Sequence, residues 1–371
     1  MSEFTPPVRE DLVGSAPYGA PQLDVPVRLN VNENPFALPD DIAVAMGRAV
    51  AAIAPDLHRY PDREALELRS HLAEYLKKES GVELAPEQVW AANGSNEVMH
   101  QLFLAFGGPG RTAISFDPTY SMYPEYARDT FTRYVTFARE SDFSINIAVA
   151  IRQLKDLRPS LVLLTSPNNP TGTMLPTADL VQLLDAALAV GSVAIVDEAY
   201  AEFRTAGTPS ALELLASYPN LVVSRTMSKA FGLAGARLGY AAASQSIVDA
   251  LRIVRLPYHL SAVTQIVAIT ALQFSETLQA QVATLRSERD ALAEWLSHQG
   301  YRVAKSDANF ILFGIFADRD LVWQSLLDQG VLIRQTGPAG WLRVSIGTEE
   351  ENDRFRQALV QATGTEQEAA R

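Results

Sequence analysis

The sequence predicts an α/β fold: a mainly parallel mixed sheet sandwiched by helices, followed by a smaller α+β domain. Three observations carry this. Short apolar runs such as LVLLTS, SVAIV and LVVSRT lack clean alternation, so they read as strands buried on both faces. Helical stretches separate them, as crossovers between parallel strands require. Several runs end in a polar cluster, namely NGSNE, DPTY, SPNNPTG, DEAY and SRTMSK. Open parallel sheets bind ligands at that place, beyond the carboxyl ends of their strands.

Residues 1–40 are rich in Pro, Asn and Gly without a period and read as an N-terminal arm that forms part of the smaller domain. Residues 41–275 form the large domain. They begin with helical periodicity in REALELRSHLAEYLKK and continue through EQVWAAN (strand), SNEVMHQLFLAF (helix), RTAISF (strand) and TADLVQLLDAALAV (helix between LVLLTS and SVAIV). Residues 276–371 form the smaller domain. It opens with the charged helix QAQVATLRSERDALAEWLSHQG, then ANFILFGIF and WLRVSIG as strands around the helix DRDLVWQSLLDQG. The polar tail TGTEQEAAR is expected to fray.

Bulk properties narrow the function. The 371 residues are 47% hydrophobic and 20% charged, ordinary for a globular chain with a large core and about two domains. A net charge of −12 argues against general nucleic-acid binding but not against a local basic pocket. With no cysteine, disulfides, thiolate catalysis and cysteine-held metals are excluded. The five histidines show no metal spacing: His58, His71, His100 and His298 read as helix or loop surface, and His259 in LPYHLS has no assigned role. The start MSEFTPPVRED lacks a signal-peptide pattern, and Leu180–Val196 is too interrupted to span a membrane. The cytoplasm is the expected location.

Each strand-end cluster has a plain reading and a chemical one. NGSNE is either an N-cap by Ser95 or Asn96, or a helix start where Gly94 lets an anion approach free N–H groups. SPNNPTG is a turn-rich loop or a mount for the Asn169 amide. Asp197 ends a very apolar strand, where a carboxylate is costly unless paired; Tyr200 follows as a phenol donor. In TMSKAFGLAGARLGY, Thr226, Ser228 and Arg237 suit a phosphate. Lys229, in cationic and partly desolvated surroundings, suits a Schiff base. Together these groups describe a ligand with a phosphate, a carbonyl, a ring nitrogen that becomes cationic, and a ring oxygen. Pyridoxal 5′-phosphate meets all four requirements.

In that order and spacing, SPNNPTG, DEAY and SKAFGLAGARLGY resemble the fold-type I pyridoxal-phosphate aminotransferases, class II. LNVNENP, RYPD, ANFILF and WLRVSIG narrow the resemblance to the histidinol-phosphate aminotransferase family. The resemblance implies a set of roles. Lys229 holds the cofactor as a Schiff base and moves the proton. Asp197 pairs the ring nitrogen, and Tyr200 and Asn169 bind the ring oxygen. Gly94, Ser95, Asn96, Thr226, Ser228 and Arg237 hold the cofactor, chiefly its phosphate, and Tyr120 stacks on the ring. Tyr60 reaches the neighbouring subunit's cofactor phosphate, which implies a homodimer with shared active sites; Tyr258 is placed near that interface without a role. Arg343 binds the amino donor's carboxylate, Arg334 binds the substrate phosphate or a distal carboxylate, and Tyr18 and Asn34 close over the substrate.

The resemblance thus implies transamination between L-histidinol phosphate and 2-oxoglutarate, giving imidazole acetol phosphate and L-glutamate by ping-pong kinetics in histidine biosynthesis. An aromatic amino-acid aminotransferase would use a nearly identical site. A decarboxylase of a phosphorylated amino acid is a rival of another class. A non-catalytic pyridoxal-binding regulator is disfavoured, because no basic DNA-binding module is attached. No metal, nucleic acid or membrane is expected as a partner.

Overall fold

The computed structural model describes residues 4–369. Strand β1 (Val27–Arg28) precedes helices α1 (Asp40–Ile53) and α2 (Leu66–Ser80). Then come β2 (Val89–Ala92), α3 (Ser95–Phe106), β3 (Thr112–Asp117), α4 (Tyr123–Asp129), β4 (Arg133–Ala138), α5 (Ile147–Leu157), β5 (Leu161–Thr165), α6 (Thr177–Val190), β6 (Val193–Asp197), β7 (Leu221–Thr226) and β8 (Gly239–Ala243). Helices α7 (Gln245–Val254), α8 (Ala262–Gln273) and α9 (Ser275–His298) lead to β9 (Arg302–Val303), β10 (Phe310–Gly314), α10 (Arg319–Asp328), β11 (Val331–Leu332), β12 (Leu342–Ser345) and α11 (Glu349–Ala369). The tail expected to fray is helical through Ala369, and residues 370–371 lie outside the described residues.

Among the described residues, the large sheet runs β2-β8-β7-β6-β5-β3-β4. Its neighbours are parallel except β8, which is antiparallel to both β2 and β7. Every residue of β5 and β7 is buried, which is why these runs lack alternation: helices cover both faces. Two strands of this sheet escape the sequence reading. The edge strand β4 is half-exposed, and β8, GYAAA, is buried but too small-chained to look like a core strand. Helices stop where the backbone dictates. α2 ends at Gly81 with φ 73°, a left-handed position that suits glycine, and α5 begins where Asn146 accepts the Val149 N–H at 3.2 Å. No helix among the described residues is long and apolar enough to cross a membrane.

A second sheet orders β12-β10-β9, all antiparallel, and β1 pairs in parallel with β11. The N-terminal arm is therefore stitched to the C-terminal region. Leu29 N–H donates to Leu332 O at 2.8 Å, and Ser345 N–H donates to Leu29 O at 2.9 Å. This pairing delivers residues 30–33 to the carboxyl edge of the large sheet.

Behind that edge lies a buried ionic cluster. Arg225 and Glu198, both about fully enclosed, meet at 2.8 Å, and Arg225 also reaches Glu79 at 2.8 Å. Arg204 closes the circuit to Glu79 and Glu198 at 3.0 and 3.4 Å. Tyr75 donates to Glu202 Oε1 at 3.1 Å. Burial raises the Glu202 pKa, with Arg225 opposing it. Side chains alternate along a strand, so the β6 and β7 ends point one residue into this cluster (Glu198, Arg225) and the next into the opposite face (Asp197, Thr226).

Candidate active site

A cavity of about 310 Å³ opens at the carboxyl edge. The large sheet contributes Ser95, Asn96, Tyr120, Asn169, Asp197, Tyr200, Thr226, Ser228, Lys229 and Arg237 to its wall. The arm and the C-terminal region contribute Tyr18, Asn32, Glu33, Arg334, Thr336 and Arg343.

One corner is built for an anion. Helix α3 begins at Ser95, so its free N–H groups and dipole face the cavity. Gly94 has φ 81°, and a Cβ there would stand 2.5 Å from the Arg237 guanidinium. Gly239, at the start of β8, is packed harder: its Cβ would stand 2.0 Å from Ser95 N. Only glycine lets the strand and the helix start come this close. The Thr226 hydroxyl accepts the Ser228 N–H at 3.1 Å, which fixes the turn that carries Lys229.

The wall of the cavity carries both an amine, Lys229, and a buried carboxylate, Asp197. Lys229 Nζ donates to Val31 O at 2.9 Å. Burial, with the Arg343 and Arg237 charges, lowers its pKa to about 8 against the pull of Glu33. Asp197 is buried, and burial raises its pKa to about 6 although Tyr123 and the Ala199 N–H oppose the shift. Tyr200 Oη accepts from Asn32 Nδ2 at 3.0 Å and from Asn169 Nδ2 at 3.5 Å.

The mouth is cationic. Arg334 and Arg343 face each other across an antiparallel bridge, with N–H···O distances of 3.0 and 2.9 Å. Arg343 is buried; it donates to Asn169 Oδ1 at 2.5 Å and to Asn30 O at 2.8 Å. Its Nε is buried without a partner, a donor left over for a bound anion. Burial lowers its pKa to about 10, with the Arg334 charge adding to the effect. The Arg334 side chain donates to Gly19 O at 3.4 Å.

The comparisons with known proteins agree with this geometry. The family model for aminotransferase class I and II matches residues 25–359. A histidinol-phosphate aminotransferase of Thermobifida fusca is 58% identical over 358 residues, covering 96% of both chains. One of Bifidobacterium adolescentis is 55% identical over 370 residues, covering 96% of this chain and 95% of the relative. The chain belongs to the aminotransferases, in the histidinol-phosphate aminotransferase family. Its fold also matches the crystal structure of the Sinorhizobium meliloti histidinol-phosphate aminotransferase in complex with pyridoxal-5′-phosphate, at TM-score 0.85, 24% identity and 98% coverage of each chain.

Set against the aminotransferase pattern, three of the residues singled out from sequence do not line this cavity: Gly94, which sits behind its wall against Arg237, and Asn34 and Tyr60. Asn34 donates to Ala230 O at 3.4 Å and accepts the Phe36 N–H at 3.0 Å, so its amide braces the arm against the lysine loop. Tyr60 is 79% exposed and stacks on Tyr258, ring centroids 4.4 Å apart. Tyr18 does reach the mouth, where its hydroxyl shares a 2.8 Å hydrogen bond with Ser121. His259 lies flat against Trp90 at 5.4 Å, its Nε2 2.9 Å from Ala91 O. Two residues were missed. Asn32 holds Tyr200 and is itself bonded to Ser345 through Oδ1 at 2.9 Å. Tyr123 donates to Asp197 Oδ2 at 2.8 Å. Asn32 stood inside the quoted motif LNVNENP, and Tyr123 lies three residues past the quoted DPTY, so only the first had a motif as its signal.

Proposed function

We propose that this chain transfers the amino group of L-histidinol phosphate to 2-oxoglutarate with pyridoxal 5′-phosphate, as a cytoplasmic homodimer. One observation carries the reading: a single cavity is lined by an anion corner, an amine of lowered pKa, a buried carboxylate and two adjacent arginines. Pyridoxal phosphate fits the donor set. Ser95, Asn96, Thr226, Ser228 and Arg237 hold its phosphate, and Gly94 and Gly239 leave the space for it. Asp197 takes the ring nitrogen, Asn169 and Tyr200 the ring oxygen, and Tyr120 the ring face.

When bound, the cofactor supplies a carbonyl that accepts the amino group and a ring that delocalises the electron pair left at Cα. The chain's own groups do the rest. Lys229 Nζ, with a neutral fraction already present at physiological pH, takes the proton from Cα of the amino donor. Arg343 grips the carboxylate of glutamate bidentately. Arg334 takes the phosphate of histidinol phosphate or the distal carboxylate of glutamate, so both amino donors use one cavity in turn. Tyr18 covers the mouth. Tyr60 extends to the partner's cofactor phosphate; Ile253 and Leu256, 84% and 73% exposed just before Tyr258, supply apolar surface for that contact.

Steady-state assays with histidinol phosphate, phenylalanine and threonine phosphate test the substrate. Histidinol phosphate is expected to exceed phenylalanine in kcat/KM by about 10⁴-fold, the scale at which a site with dedicated polar groups discriminates. A larger value for phenylalanine assigns an aromatic aminotransferase instead, and carbon dioxide release without a keto acid assigns a decarboxylase. The anion corner has its own test. In Gly239→Ala the new Cβ meets backbone, so the α3 start must retreat; overpacking costs about 2 kcal/mol, and cofactor affinity falls about 30-fold. Titration of the apoprotein with pyridoxal phosphate measures it, and unchanged affinity removes that corner from the cofactor site.

A further inference from the structure

Asp197 has no arginine, lysine or histidine against it among the described residues; its polar contacts are a phenol and a backbone N–H. Tyr123 begins α4 and is fully buried, and it does not line the cavity. Its hydroxyl donates to Asp197 Oδ2 at 2.8 Å, while the Ala199 N–H donates to Oδ1 at 3.2 Å. Both carboxylate oxygens are thus held, by donors that favour the ionised form. The phenol has one proton, and the carboxylate takes it. Thr165 Oγ1, 2.8 Å from the same hydroxyl, must therefore donate to Tyr123. Burial, with the Asp197 charge, keeps the Tyr123 hydroxyl protonated at every working pH. The same ring stands edge-on to Tyr120, centroids 5.6 Å apart at 88°. Tyr123 therefore touches, from behind, both the acid and one aromatic wall of the cavity.

We propose that Tyr123 is a positioning residue of this site: its hydroxyl keeps the Asp197 carboxylate ionised and facing the cavity, and its ring sets the plane of Tyr120. The proposal rests on the reading of Asp197 as the partner of the cofactor's ring nitrogen. A carboxylate that accepts a proton of its own cannot keep a ring nitrogen protonated. The phenol extends the pH range in which the acid stays charged, without adding a cation that would compete with the ring.

Tyr123→Phe keeps the ring and removes the hydroxyl. In the apoprotein, the Asp197 acid, followed by isotope-edited infrared against Asp197→Asn, is expected to titrate about one unit higher than its present value near 6. In the holoenzyme, the acid limb of kcat moves up by the same unit. The loss of kcat is about three-fold at pH 6.5 and vanishes by about pH 8.5, with KM for glutamate within two-fold. In an Asp197→Asn background the same substitution adds no further pH dependence. A purely structural tyrosine would lower stability and activity alike at every pH. If the Asp197 titration and the acid limb of Tyr123→Phe superimpose on those of the parent protein, the proposal is overturned. If Tyr123→Phe does not fold, Thr165→Val, which withdraws the donor behind the phenol, is expected to move the acid limb in the same direction; an unmoved limb overturns the proposal equally. A parent protein that binds no pyridoxal phosphate overturns the functional reading and this proposal with it; the apoprotein titration separates that failure from a failure of Tyr123 to hold Asp197.

Discussion

Lys229→Ala is expected to lower turnover by about 10⁴-fold or more, since one substitution removes both the covalent attachment and the general base. The fold should survive. Lys229 is partly buried, and its amine makes a single hydrogen bond, to Val31 O, so an alanine strands no buried charge. Borohydride should fix pyridoxal phosphate to the parent protein and not to the variant. A second readout comes from the lowered pKa. The amine should react with trinitrobenzenesulfonate in the apoprotein with a midpoint near pH 8, well below the ordinary value of 10.5. The same shift predicts a stability signature. Between pH 8 and 10.5 the unfolded chain carries a proton on this amine that the folded chain lacks. Folding stability from this group therefore rises with pH across that window and is lost as pH falls through about 8. Lys229→Ala should flatten that slope. A variant that still holds cofactor reducibly, or keeps the slope, removes Lys229 from the chemistry.

Much of this site was legible because its residues follow buried parallel strands. Asp197 and Thr226 end β6 and β7, and Asn169 and Lys229 come three or four residues beyond a strand, so reading the strands located them. What failed was direction. In LNVNENP the sequence reading singled out Asn34, whereas it is Asn32 that lines the cavity. Asn32 has φ 57°, a left-handed kink that breaks the simple alternation of an extended segment, and its backbone N–H is fixed by Ser345 Oγ at 2.9 Å. That anchor is 313 positions away in sequence, so no local pattern says which of the two asparagines turns inward. Tyr123 was hidden similarly: its partner Asp197 is 74 positions distant, and a tyrosine opening a helix reads as ordinary packing. β8 was missed because alanines carry little hydrophobic signal, although its glycine decides how closely strand and helix meet. Arg225 was overlooked for a different reason. It sits inside LVVSRT, next to Thr226, and an arginine within an apolar strand gives no sign of the carboxylates it meets across the fold.

Arg225→Ala is expected to cost about 3–5 kcal/mol, the loss found when one partner of a buried ion pair is removed. Arg225 is 1% exposed and gives Nε and Nη2 to Glu198 Oε2 at 3.0 and 2.8 Å, Nη1 to Glu79 at 2.8 Å, and Nη2 to the Ser210 hydroxyl at 2.9 Å. Without it, Glu198 keeps Arg204 at 3.4 Å and the hydrogen bonds from Ser210 and the Ala211 N–H at 2.7 and 2.8 Å. Burial pushes the Glu198 carboxyl up, but Arg225 and Arg204 more than reverse this and hold it below the ordinary 4.5. A depressed carboxylate contributes stability above its unfolded pKa and loses it as pH falls through its folded pKa. In the variant one of the two cations opposing burial is gone, and the Glu198 pKa moves up. The deficit relative to the parent protein should therefore be largest at pH 8 and shrink toward pH 5, as Glu198 and Glu202 take up protons. Urea unfolding at the two pH values measures both. The consequence reaches the cavity, because Glu198 and Arg225 adjoin Asp197 and Thr226 on the same strand ends. The variant should bind pyridoxal phosphate more weakly although no atom of Arg225 lines the site. A pH-independent deficit would mean that Arg225 acts by packing alone, and a stable variant with unchanged cofactor affinity would detach this cluster from the site it stands behind.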